Sequence, residues 1–255
     1  MPDLRSCLLV AGFPLVVYLF VLILLTLGQR HLLYRPPSPR PIPGLTPVWL
    51  DLGDAVVPMV QMGPQDGQPV LFMHGNGGQL VDNLWIGEAL ASRQLSVSLV
   101  EYPGFGLATG VGPSEEGLIA AARAALATLP PAVCVGHSLG SGVATAVAAE
   151  GRCVVLVLVA PFSSIPDMAA LRFPIFPARW LVRDRFDSAA RAPGVAVPVL
   201  ITHGRHDRVV PFEMGEALAA RFADAEFVPR ERGHVDIFDD ETFDRIAELA
   251  REASR

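Results

Sequence analysis

No lysine occurs among the 255 residues; all 20 basic side chains are arginine. P-loop, Schiff-base and lysine-base chemistries each need an ammonium or amine group and are thereby excluded. Cysteine is scarce as well. Cys7, Cys134 and Cys153 form no CxxC pattern and cannot all pair, by which a disulfide framework or a zinc ribbon is excluded. Cys134 and Cys153 fall in apolar runs, where they are expected to pack as small hydrophobes. No basic stripe gathers, and 26 acidic residues leave a net charge of −6, so nucleic acid is not an expected partner. Repeats at solenoid or propeller periods are absent. What the chain has in quantity is apolar surface: 51% of residues are hydrophobic and the mean hydropathy is +0.40. That is enough for one large core, and it excludes a disordered chain.

Residues 8–27, LLVAGFPLVVYLFVLILLTL, carry no charge. Twenty residues at a helical rise cover a hydrocarbon core of ~30 Å, and Gly12 and Pro14 are tolerated in such a span. Residues 1–30 are therefore expected to form a single-pass membrane anchor. A cleaved signal peptide is the rival, since Thr26, Leu27 and Gly28 resemble a processing site, but the run exceeds the usual h-region of about 7 to 15 residues. Arg30, Arg35 and Arg40 follow the run, which by the positive-inside rule puts the rest of the chain in the cytoplasm. Cys7, beside the span, is a candidate for acylation. Six prolines between Pro36 and Pro47 predict a stiff, extended stalk over residues 31–47.

From residue 48 onward short apolar runs alternate with alanine-rich stretches. PVLFM, LSVSLVEY, AVCVG, CVVLVLVA and VPVLITHG read as buried parallel strands with helices between them, the pattern of an α/β sheet covered on both faces. The segment WLDLGDAVVPMVQM predicts one or two antiparallel strands at the sheet edge. Ser114, followed by Glu115 and Glu116, predicts a helix start. Residues 165–193 depart from the sheet pattern and predict a small cap, in which Phe173, Phe176 and Trp180 can cover an acyl chain.

The run AVCV leads into Gly136-His137-Ser138-Leu139-Gly140 and then an alanine-rich helix. A sharp strand-to-helix turn lifts a serine hydroxyl off a sheet only if its neighbours are small, which Gly136 and Gly140 provide. Serine needs an imidazole to take its proton, and the imidazole needs a carboxylate to fix its tautomer. His203, His206 and His234 follow Ser138, and only His234 permits the order Ser, Asp, His. Asp207 ends the run VPVLITHGRH at the carboxyl edge where open α/β sheets place ligands. Asp184, Asp187 and Asp236 are weaker candidates, Asp236 reading as support for its own loop. The run PVLFM ends in His74-Gly75-Asn76-Gly77-Gly78, which can present backbone N–H groups to an oxyanion. Asn76 and Leu139 are the expected donors. The glycine cluster fits neither GxGxxG nor GxxxxGK[ST], so a phosphate loop is disfavoured. Phe105, in the turn after LSVSLVEY, is a candidate pocket residue.

With HGNGG, EYPGFG, GHSLGSG, APFSS, HGRHD and GHVDIF in this order, residues 48–252 resemble the α/β-hydrolase superfamily of serine hydrolases. The chain looks most like the small membrane-anchored branch that includes depalmitoylating acyl-protein thioesterases and related bacterial esterases or peptidases. The resemblance implies an α/β-hydrolase domain over residues 48–255, with Ser138 as nucleophile, Asp207 as acid and His234 as base. His74, Gly75 and His137 complete the motifs. It implies hydrolysis of esters or thioesters of a small-molecule or lipid-like acyl substrate, with no metal or organic cofactor. A peptidase of the same fold and a catalytically silent membrane-anchored binding module are the alternatives. Leu107 stands where many relatives carry serine. Dehalogenases and epoxide hydrolases of this fold use an aspartate nucleophile, so Ser138 counts against both.

Overall fold

The computed structural model describes residues 4–253, with side chains from Gly12 onward. The candidate acylation at Cys7 lies outside the described side chains. An N-terminal helix α1 (Leu4–Leu33) precedes β1 (Val48–Asp51), β2 (Ala55–Met62), β3 (Gln68–Met73), α2 (Leu84–Ala91), β4 (Leu95–Val100) and the two-residue β5 (Thr109–Gly110). Then come α3 (Glu115–Ala127), β6 (Ala132–His137), α4 (Leu139–Ala149) and β7 (Cys153–Val159). The cap supplies α5 (Ile165–Arg172), α6 (Ala178–Leu181) and α7 (Ser188–Arg191). The chain closes with β8 (Val199–Gly204), α8 (Phe212–Ala219), β9 (Ala225–Arg230) and α9 (Asp240–Glu252).

The sheet runs in the order β1-β2-β4-β3-β6-β7-β8-β9, with β5 paired to β2. Pairing is antiparallel among β1, β2 and β4 and parallel from β4 through β9. Leu118, Ala144 and Leu218, from α3, α4 and α8, lie in the core on one face of the sheet. Ile86, Leu90, Ile246 and Ala250, from α2 and α9, lie in the core on the other. Because both faces are covered, β6 and β7 can be apolar at nearly every position rather than at alternate ones. The helix start at Ser114 agrees with expectation, its hydroxyl accepting from the Gly117 N–H at 3.1 Å.

Two sequence expectations are overturned. Cys134 and Cys153 do not pack as separate thiols. They form a disulfide across the adjacent strands β6 and β7, with Cα atoms 5.7 Å apart. Nor do the prolines form a free stalk. Tyr34 is 3% exposed and meets the edge of Phe105, and Ile42 and Leu45 pack on the core. An extended proline segment leaves its backbone groups without partners of its own, and here side chains of the neighbouring loop supply them. The Arg35 N–H donates to Asn76 Oδ1 (2.9 Å), the Arg40 N–H to Gln79 Oε1 (3.0 Å), and Gln79 Nε2 to the Ser38 carbonyl (3.0 Å).

Helix α1 is held to the cap along its C-terminal half. Arg30 reaches buried Asp184 with two hydrogen bonds of 2.8 and 3.0 Å. Gln29 donates to the Leu181 carbonyl (3.3 Å) and accepts from the Arg183 N–H (2.7 Å). Residues Gly12–Leu33 form one helix long and apolar enough to cross a membrane.

Candidate active site

Ser138 sits between β6 and α4 with φ 50° and ψ −117°, a left-handed conformation that costs a β-carbon-bearing residue on the order of 1–3 kcal/mol. The surroundings hold it there. The Ser138 N–H donates to the Val159 carbonyl (3.0 Å), and its own carbonyl accepts from Ser141 Oγ (2.6 Å). Gly140 is obligatory, because a Cβ there would overlap the carbonyl oxygens of Met73 and His74. The elbow lies beside β3, where the chain crosses to β4 in one direction while β6 leads to β7 in the other. A site at the carboxyl ends of strands flanking such a switch is where open α/β sheets hold ligands.

Asp207, in the turn after β8, has no exposed side-chain surface. Its Oδ1 accepts from the Val209 and Val210 N–H groups (2.7 and 2.9 Å), and its Oδ2 faces His234 Nδ1 at 2.6 Å. Burial alone would raise its pKa, but hydrogen bonds from His203, His234 and the Val210 N–H hold it below the usual carboxylate range. His203, buried, faces Asp207 Oδ2 at 3.3 Å and the Val210 carbonyl at 3.1 Å. It therefore braces Asp207. His206 is exposed and pairs with Glu231. The weaker acid candidates have structural duties: Asp184 binds Arg30, Asp187 caps α7 and Asp236 accepts from the Gly233 N–H.

His137 adjoins His234, donating from Nε2 to its carbonyl (3.0 Å), with ring centroids 5.0 Å apart. Burial, and then the neighbouring His234, lowers its pKa from 6.5 to about 3. An unfolded chain takes that proton near pH 6.5, whereas the folded one refuses it until about pH 3. The stability so contributed is complete above pH 6.5 and is lost progressively as pH falls toward 3. Thermal melts should show a loss on the order of a few kcal/mol over this window. His137→Gln, which keeps a donor for the His234 carbonyl, should flatten it. Equal slopes for both proteins would assign the acid sensitivity to other groups.

The loop 74–78 lies against the elbow, so close that a methyl added to Gly75 would stand 3.2 Å from Ser138 Cβ. Asn76 and Leu139 line the same cavity as Ser138. The loop is anchored by a group that sequence reading missed. Buried Glu101 faces His74 Nε2 at 2.8 Å and accepts the Leu80 N–H at 2.9 Å, while His74 Nδ1 faces the Gly75 carbonyl at 2.8 Å. The signal was a charged residue at the end of the apolar run LSVSLVEY. The Asn76 side chain holds the end of α1, donating to the Leu33 carbonyl at 2.5 Å.

A cavity of about 390 Å³ opens at Ser138. Leu139, Phe162 and Val210 line its floor, and Phe173 and Phe176 of the cap line it as expected. Two pocket assignments are corrected. Phe105 is fully buried against Tyr34, His74 and Tyr102 and does not reach the cavity. Trp180 is 87% exposed and does not line it. The unexpected wall is α1, which contributes Leu22, Leu25, Thr26, Gln29, Leu32 and Leu33. Arg172 is the one charged side chain in the lining. No group of three or more potential metal ligands occurs among the described residues.

Residues 70–194 match the model of an alpha/beta hydrolase family. The uncharacterized protein Rv2307c of Mycobacterium tuberculosis is 35% identical over 216 residues, covering 77% of this chain and 76% of its own. The lysophosphatidylserine lipase ABHD12 of Danio rerio is 30% identical over 182 residues, 60% of this chain and 47% of its own. Among solved structures, a bacterial membrane phospholipase A superposes with a TM-score of 0.66 at 15% identity, covering 99% of this chain and 98% of that one. The family match, the sheet order, the serine elbow and the length shared with Rv2307c lead to one conclusion: this chain belongs to the alpha/beta hydrolase family.

Proposed function

We propose that this hydrolase is anchored to a membrane by α1 and cleaves carboxylic esters or thioesters of lipid-like acyl groups through an acyl-enzyme on Ser138. The observation that carries the proposal is the Asp207–His234 pair at 2.6 Å, whose His234 carbonyl binds His137, the residue just before the strained Ser138 that lines an apolar cavity. Asp207 accepts the Nδ1 proton of His234, leaving Nε2 free to take the proton of the Ser138 hydroxyl. The serine oxygen then bonds to the substrate carbonyl carbon, and the negative charge moves to the carbonyl oxygen. The Asn76 and Leu139 N–H groups donate to that oxygen. Collapse breaks the bond to the alcohol or thiol, which leaves with the proton from His234. Water, deprotonated by the same imidazole, releases the acid and restores the serine.

The apolar lining favours an acyl chain over a peptide, whose backbone would need polar partners along the cleft. The test is a fluorophosphonate probe, which forms the same tetrahedral geometry on an activated serine. The native protein should label and Ser138→Ala should not. Equal labelling of both would remove Ser138 from the nucleophile's role. A panel of p-nitrophenyl esters, acyl-thioesters and aminoacyl amides then separates esterase from peptidase.

A further inference from the structure

The uncharged run of residues 8–27 needs all its length to cover ~30 Å of hydrocarbon at a rise of ~1.5 Å per residue. Tyr18 stands in the middle of that run, about 15 Å from either end. Its hydroxyl donates to the Ile175 carbonyl at 3.0 Å, and its ring stacks on Phe176 with centroids 5.3 Å apart. A cap fastened to the helix at that level cannot remain outside a bilayer that the helix crosses.

The surface of the cap matches this placement. Leu171, Ile175 and Trp180 are 63%, 73% and 87% exposed, and Phe173 is partly so. A water-facing insertion gains nothing by showing four large apolar side chains within ten residues. The patch is continuous with α1, whose Phe13, Phe20 and Leu24 are also exposed. The exposed Arg183 and Arg185 follow this edge at the level of Gln29, just beyond the uncharged run, a position suited to phosphate headgroups. Tryptophan is itself a preferred residue at the membrane interface. The cavity over Ser138 is walled by this helix and this cap together.

We propose that the cap edge, residues 171–180, is a second membrane-embedded element, and that the cavity opens into the leaflet and receives its acyl chain from there. The substrate class is thereby a bilayer-resident lipid ester rather than a dissolved one. The inference rests on the anchor and serine-hydrolase readings above, and it adds the depth of the cap.

The test uses the full-length chain with Trp49→Phe and Trp85→Phe, leaving Trp180 as the only indole, in phosphatidylcholine vesicles with or without brominated acyl chains. Trp180 emission should be blue-shifted and quenched by the brominated lipid. Emission of a water-exposed indole, indifferent to bromine, overturns the proposal. So does a blue shift without quenching that fades on dilution, which would mean that a second copy covers the patch. A second measurement guards against a variant that merely misfolds. Leu171→Arg/Ile175→Arg/Trp180→Arg should lower hydrolysis of a long-chain ester in vesicles by about tenfold or more and leave a soluble butyryl ester unaffected. Equal rates on both substrates also overturn it. The underlying readings fail differently: release of the chain by carbonate removes the anchor, and labelling of Ser138→Ala removes the nucleophile, whatever Trp180 reports.

Discussion

Ser138→Ala is expected to lower kcat for a p-nitrophenyl ester on the order of 10⁶-fold, and Asp207→Asn by about 10⁴-fold, with the fold intact in both. The second loss follows from hydrogen-bond accounting. Two backbone donors, the Val209 and Val210 N–H groups, point at Oδ1 of residue 207. An asparagine must keep its carbonyl oxygen there, because turning its amide group toward them would leave three donors facing one another. Its NH₂ group then faces His234 Nδ1, where the Asp207 carboxylate stood at 2.6 Å. The imidazole is forced to accept at Nδ1 and so to carry its proton on Nε2, the atom proposed to receive the proton of Ser138. An effect under tenfold on kcat, measured with an unchanged melting temperature, would mean that another carboxylate orients the base.

Local pattern was sufficient wherever one element determines geometry. The elbow at Ser138 was legible because a serine between small residues, entered from a strand and left by a helix, has few other conformations. The order Ser, Asp, His selected Asp207 and His234, because Asp207 follows the apolar run that becomes β8 and His234 is the histidine that comes after it, in the loop between β9 and α9. Side-chain destinations in turns were not legible. Phe105 stands in a tight turn between two glycines, and its inward direction is set by Tyr34, some seventy residues earlier and outside the expected domain. Cys134 and Cys153 lie 19 residues apart, a spacing without a signal. Their bridge runs diagonally between β6 and β7, where Cys153 stands opposite Ala132 and Cys134 opposite Leu156 beside a register shift. Glu101 gained its role only when β3 and β4 were laid side by side, which brings the end of one run to the loop following the other. The proline segment misled for a related reason: its composition states that it is extended but not what it lies against.

That last point governs the expected behaviour of a truncated chain beginning at residue 48. Taken as a bare hydrolase domain preceded by a stalk, it should be soluble and fully active. The contacts predict otherwise. The deletion removes Tyr34 from the core, both partners of the Asn76 side chain and the α1 wall of the cavity. Each buried methylene of an acyl chain contributes ~0.8 kcal/mol. In the intact protein kcat/KM should therefore rise from acetyl to about octanoyl esters. Loss of the wall removes contact with roughly three of those methylenes, which lowers the octanoyl preference by about fiftyfold. A parallel loss on acetyl esters would report displacement of the oxyanion loop. Trp180→Ala, by contrast, should leave chain-length selectivity toward soluble esters unaltered, since Trp180 lies outside the cavity. Should the truncated chain fail to fold, full-length Leu25→Trp serves instead. It fills the cavity from the helix side and should shorten the preferred acyl chain while sparing acetyl hydrolysis. An octanoyl preference equal to that of the intact protein, in either variant, would show that α1 is a tether and not a wall of the substrate site.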